Sequence, residues 1–553
     1  MKWIGVVGTL SVLALMVVAC SVNESQIATQ LQQAIVPNTP NEKTPVERMG
    51  AVSIVETLVA DGRTHEAASD YQWDEAAVVP IVLDGDTIRP GGNGVAVQGS
   101  RATITSAGTY RLSGKLTNGQ IRVDTGDAAP VRLILDGVEL HNPTGAAIYV
   151  AHAAKTLLVL AGSAENRVSD GSEYLFEKPG DDEPNAAIFS KSNLTIFGSG
   201  ALHVSGAYND GITSKDGLIL AGGTVRVDAV DDGLRGKDYL VVRDARLQVT
   251  AGGDGLKSDR AGDASLGYIS IESGDITIEA GEDAIQADNT VAVNGGTLTI
   301  TSGDDGIHAD TALEIAAGVV RVLRSYEGIE SATITILGGQ IYVVSTDDGV
   351  NVAGGKDASG TRHGPDQSSD TFTNPGQNYL YLHGGYLVVD SGGDGIDVNG
   401  AIEMTDGTVL LNGPTQRWNS ALDYDASFDM TGGFLVAAGS SGMSQAPSIS
   451  SSQPALLINF DTPQPAGSLF RVQDGAGNGL ITFAPEKEYQ SVAFSSPRLV
   501  DGGRYEVYLG GQMTGDAVDG LYPDGVYTPG RLFAGFTVQE GITRIGLGGS
   551  RPR

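Results

Sequence analysis

The chain has 553 residues, with 67 Asp and Glu against 35 Lys and Arg, a formal net charge of −32. A surface this acidic repels nucleic acid and anionic membranes and attracts cations, among which calcium prefers clustered carboxylates. Hydrophobic residues at 41% exclude a disordered body. The 77 glycines do not recur at every third position, which excludes collagen.

The chain opens with Lys2, an apolar stretch from Ile4 to Val18, and then Val17, Val18, Ala19 and Cys20, which has the pattern of a bacterial lipobox. Cys20, the only cysteine, forms no intrachain disulfide and is expected to become the acylated N-terminus. A short membrane anchor is the competing reading, but the apolar run is too short for a comfortable span. Residues 1–20 are therefore expected to be a lipoprotein signal peptide. The mature protein is expected outside the cytoplasm, anchored by lipid at an outer membrane or cell surface. Ser21 supplies no strong inner-membrane retention signal. Residues 21–77, with Pro37, Pro40 and Pro45, are expected to form a polar tether.

From Ile81 onward, alternating apolar stretches such as Ala102–Thr105, Gly119–Val123 and Val131–Leu135 are punctuated by Gly, Asp and Asn, the mark of strands and turns. A repeat organises them. Acids at 210, 232, 254, 283, 305, 327 and 348 each precede Gly (once Ala284) and an apolar residue, with separations of 22, 22, 29, 22, 22 and 21; Asp394 follows after 46. Glycine pairs such as Gly222–Gly223, Gly295–Gly296 and Gly338–Gly339 mark a second, offset turn. Three short strands with three turns use about 22 residues, and stacked coils pair each strand with its equivalent about 4.8 Å away. The period predicts an all-β solenoid, a parallel β-helix over 78–440; propeller blades need about 40 residues or more. The apolar residues Ile212, Leu234, Leu256, Ile285, Ile307, Ile329, Val350 and Ile396 should form one internal ladder. Residues 441–553 break the pattern with a Ser/Pro linker and new strands, predicting a small C-terminal β cap.

The segments Ala107–Asp124, Val131–Leu140 and Asn185–Gly200, leading into the Asp-Gly coils, resemble the bacterial secreted carbohydrate-binding β-helix family, related in shape to pectate lyases. The resemblance spans about 78–545. It implies a right-handed parallel β-helix that binds acidic plant-type polysaccharide and cellulose, with bound calcium and no established catalytic role. Ala284, Glu327 and the stretch Gly355–Asn378, with His363, Asp366 and Asp370, depart from the pattern.

Two columns could carry chemistry. Asp210, Asp231, Asp232, Asp254, Asp283, Asp304, Asp305, Asp347, Asp348 and Asp394 should stack at one corner. Neighbouring charges about 5 Å apart repel by nearly 1 kcal/mol in water and by several-fold more where water is excluded. Calcium would relieve that repulsion; alternatively the Asp-Gly pairs are turn chemistry alone. Beside them, Arg235, Lys257, Gln286, His308, Glu330, Asn351 and Asp397 should point outward as a polar strip for a linear polysaccharide. Arg235 and Lys257 would meet uronate carboxylates, and Trp418 and several tyrosines would stack on sugars. The rivals are a calcium-dependent polysaccharide lyase using Arg235 or Lys257 as base, and a non-catalytic surface scaffold. A monomer is expected, with no nucleic-acid partner and membrane contact only through the lipid.

Overall fold

The computed structural model describes residues 64–176, 178–353 and 378–546. Cys20, the signal peptide, most of the expected tether and the loop residues His363, Asp366 and Asp370 lie outside these described residues.

One repeat forms one coil of three strands. Asp210–Ser214, Gly217–Ala221 and Thr224–Ala229 complete a turn of chain, and Leu234–Gly236 opens the next coil. Each strand pairs in parallel with its equivalent one coil on, as in Ile212 with Leu234, Leu218 with Leu240 and Val225 with Leu247. The result is an all-β solenoid of three parallel ladders. The first ladder, which carries the Asp-Gly repeat, makes a separate 14-stranded sheet from Val95–Gln98 to Leu422–Tyr424. Ile212, Leu234, Leu256, Ile285, Ile307, Ile329, Val350 and Ile396 are all fully buried inside it. Burying each such side chain stabilises the stack by roughly 1.5–3 kcal/mol.

The glycine after each acid is there for space. A Cβ on Gly349 would lie 2.1 Å from Val389 Cγ1 and 2.7 Å from the Gly395 carbonyl of the next coil. Gly349→Val should therefore lower stability by about 1–3 kcal/mol. A urea-unfolding midpoint checks this, with Gly126→Val, where nothing lies within 4 Å of the new Cβ, as the unperturbed control. The offset glycine pairs have a different reason. Their second members, such as Gly296 (φ +85°) and Gly339 (φ +83°), turn the chain from second to third ladder through the left-handed region.

The three corners differ in length. The second-to-third corner stays at a few residues throughout. Extra chain enters on either side of the first ladder: residues 171–185 and 413–421 before it, residues 259–267 and 353–378 after it.

Beyond the last coil, Phe434–Gly439 pairs antiparallel with Tyr489–Ser495, which also pairs antiparallel with Ala455–Gln464. Phe470–Asp474, Gly479–Phe483, Arg504–Met513 and Tyr527–Thr537 form a four-stranded antiparallel sheet. A second apolar cluster joins this region to the solenoid through Tyr386, Leu410, Phe434 and Phe470. At the other end, residues 65–77, expected as tether, pack along the second ladder together with Val78. Tyr71 and Trp73 cover Leu157 and Phe197, and buried Asp70 accepts from Lys155 Nζ at 2.6 Å. Among the described residues no helix is long and apolar enough to cross a membrane.

Candidate functional site

The outer face of the first ladder carries one side chain per coil in unbroken register. The row runs Arg122, Tyr149, Phe189, Thr213, Arg235, Lys257, Gln286, His308, Glu330, Asn351, Asp397 and Asp423. With coils about 4.8 Å apart, it extends over roughly 50 Å.

The acids stack beside this row, and much of their role is structural. Five of them reach one coil forward and accept a backbone N–H. Asp232 accepts from Asp254 N (3.1 Å), Asp254 from Asp283 N (3.0 Å), Asp283 from Asp305 N (2.9 Å) and Asp348 from Asp394 N (2.6 Å). Asp394 accepts likewise from Ser420 N. Burial and then neighbouring carboxylates push Asp210 up to about 7. Burial pushes Asp232 up to about 6, outweighing the nearby Lys257 ammonium, and Asp394 up to about 7. Asp283, Asp305 and Asp348 rise for the same reason, burial first. Asp231, Asp304 and Asp347 sit half-buried at the turn just before the column.

The polar strip is less outward than alternation predicts, because its members fold sideways onto the acids. Lys257 Nζ lies 2.6 Å from Asp254 and 3.3 Å from Asp232. Arg235 grips Asp259 and lies 3.9 Å from Asp210. His308 lies 2.7 Å from Glu330, 3.1 Å from Asp305 and 3.3 Å from Asp310. Asn351 donates to Glu327 at 2.7 Å. Glu330 and Asn351 are 2% and 3% exposed, so neither offers its side chain to a polymer. Gln286 donates to Asp288 and Asp397 is half-buried, whereas Trp418 is 70% exposed.

These contacts bear on catalysis. Burial works against charge on Lys257 and Arg235, but the surrounding carboxylates outweigh it and hold both above their ordinary values. A lysine or arginine must give up its proton before it can act as a general base. The surrounding carboxylates work against that loss at both residues. His308 is likewise held protonated by Asp305, Asp310 and Glu330 against the effect of burial.

Toward the C-terminal end, Asp348, Asp394 and Asp397 bring carboxylate oxygens within 4.8 Å of one another. After burial, the largest influences on Asp348 are the anions Asp397, Asp394 and Asp347. Two further groups, Asp283–Asp305–His308 and Asp305–Glu327–Glu330, lie equally close together but are served by the His308 imidazolium.

Some expected aromatic partners are occupied. Tyr239 is buried beneath His65, and Tyr386 is buried and donates to Asp519. Sequence reasoning missed Arg122 and Tyr149. Their coils carry Gly119 and Ala146 where later coils carry the acid; the Phe189 coil carries Ala186, which pairs directly with Asp210. Extending the register backward by strand pattern would have found them.

A stacked β-solenoid with one polar face in continuous register is thus the class of protein in hand. Residues 98–353 match the family described as carbohydrate-binding domain-containing protein. The chain is 41% identical over 245 residues to a carbohydrate-binding domain-containing protein of Acetivibrio thermocellus, covering 44% of this chain and 86% of that protein. It is also similar to the solved structure of a polysaccharide lyase-like protein from C. thermocellum, a gadolinium derivative. That match has a TM-score of 0.42 and 34% identity, and covers 43% of this chain and 96% of the other. The chain belongs to the carbohydrate-binding domain family.

Proposed function

We propose that this is an extracytoplasmic lipoprotein, anchored through acylated Cys20 and tethered by the segment after it, that binds extracellular polysaccharide along the first ladder. In this reading the solenoid is right-handed and the antiparallel C-terminal region caps its last coil. The observation that carries the proposal is the outer row: one stiff face, in register over a dozen coils, on a chain of a carbohydrate-binding family. Stacking fixes the face in advance, so a linear polymer meets little ordering cost on the protein side. Calcium is proposed at Asp348, Asp394 and Asp397, whose oxygens are hard donors close enough to share an ion. The lateral ion pairs of Arg235, Lys257 and His308 leave less need for a cation in the coils before them.

Retention on polygalacturonate beads or insoluble cellulose is the direct test. The full mature chain should be depleted from solution in a pull-down and eluted by soluble polymer of the same kind. No depletion on any acidic or neutral glycan of a panel would overturn the reading in favour of a scaffold.

A further inference from the structure

At its N-terminal end the outer row runs into a cleft of about 600 Å³ that the acid column does not enter. Its floor is the ladder surface at Gln120, Arg122 and Tyr149, with Arg101 one coil before. Its wall is the inserted chain around Tyr174, Leu175 and Asp182. This wall is anchored. Leu175 N donates to the Thr144 carbonyl at 2.9 Å, and Tyr174 donates to Asp170 (2.7 Å) and to the Ala186 carbonyl (3.0 Å). The Tyr174 ring also stacks on Tyr208 at 4.1 Å.

Four features set the cleft apart. In a chain of net charge −32, four cationic side chains line it (Arg101, Arg122, Lys178, Lys191) against three carboxylates (Asp181, Asp182, Glu183). Apolar surface stands open at its mouth, where Leu175 is 77% exposed. Arg122 is held in place, 2.9 Å from Asp124 and 4.9 Å over the Tyr149 ring, yet a guanidinium has five N–H donors and these contacts leave some over. Gln120, 7% exposed in the floor, donates to the Ala146 carbonyl at 2.8 Å while its Oε1 has no partner.

We propose that this cleft is a subsite for one anionic sugar unit, a hexuronate residue. The guanidinium of Arg122, with Arg101 and with Lys191, whose ammonium also lies 3.3 Å from Glu183, would take the carboxylate, and a sugar face would lie against the aromatic and aliphatic wall. The inference rests on the polysaccharide-binding reading and adds where an acidic unit is held. The cationic lining favours a carboxylated sugar over a neutral one, since a charge-assisted hydrogen bond is about twice as strong as a neutral one.

Calorimetric titration with trigalacturonate and with cellotriose tests it on the full mature chain. Trigalacturonate should bind saturably, more tightly than cellotriose, and more weakly as NaCl is raised. Arg122→Gln should weaken it about tenfold or more, and Lys191→Gln, which removes only a surface ion pair with Glu183, should weaken it in the same direction. Lys115→Gln, on another ladder, should change nothing. Equal binding of the two trimers with no effect of Arg122→Gln or Lys191→Gln overturns the anionic subsite. If polygalacturonate is still retained in that case, the broader reading stands. If wild type retains no glycan at all, both fail.

Discussion

Lys257→Met should lower unfolding stability at pH 8 by about 3 kcal/mol, the lower end for breaking a buried pair, because the ammonium is a quarter exposed. The change removes one cation that two carboxylates share. Asp232 and Asp254 are each 3% exposed and lie in adjacent coils. Lys257→Arg, which keeps the charge, should lose much less. The loss should also shrink at pH 5, where Asp232, already pushed up to about 6 by burial, takes up a proton and no longer needs a counterion. Urea midpoints of the three proteins at both pH values check this. A loss of the same size at pH 5 would assign the effect to packing of the lysine stem instead.

The second large effect is the coupling of stability to pH and calcium. Asp210 and Asp232 are raised above the ordinary aspartate value by burial first. Between about 4 and 7 the folded chain therefore binds more protons than the unfolded chain. The stability this contributes is fully present below the ordinary aspartate value and is lost as pH rises through about 6–7. In chelator, the urea midpoint should fall from pH 5 to pH 8. Calcium should restore it at pH 8, by about 2.7 kcal/mol at a hundredfold excess over its dissociation constant. It should do less at pH 5, where protons compete for the same oxygens. Asp348→Asn keeps an oxygen that can accept the Asp394 N–H but removes a crowded charge. The variant in chelator should be at least as stable as wild type, and its calcium increment should be gone. A full increment in that variant would remove the ion from this position.

The solenoid was legible because its two marks, the acid-glycine pair and the offset glycine pair, recur from Asp210 onward and answer to separate steric demands. The inner ladder followed directly: the residue after each glycine is buried in all eight coils named. The lateral direction of the outer row was not read, although its signal was present. Every row member from Thr213 to Asp397 stands three positions after an acid, as Lys257 does after Asp254 and His308 after Asp305. In a strand that turns a corner at the acid, this offset sets a long side chain beside the acid it follows. Alternation says only which face a residue is on, so Arg235 and His308 read as outward ligands when they are counterions, as Lys257 is too. The cleft at Arg122 and Tyr149 escaped because the repeat was aligned on an acid that its coils lack. Its wall comes from an insertion, which carries no period at all.

The unequal corners have a consequence for how such a protein can change. At the glycine corner the chain passes close to its neighbours and the connection stays at a few residues throughout. At the two edges of the first ladder, chain has been added without disturbing the register of the coils above and below. Growth is thus channelled to the margins of one face. New side chains can arrive there as rims and walls while the platform between them stays the same. A lineage could retune what this face holds by splicing segments at its borders, leaving the repeat that builds it untouched.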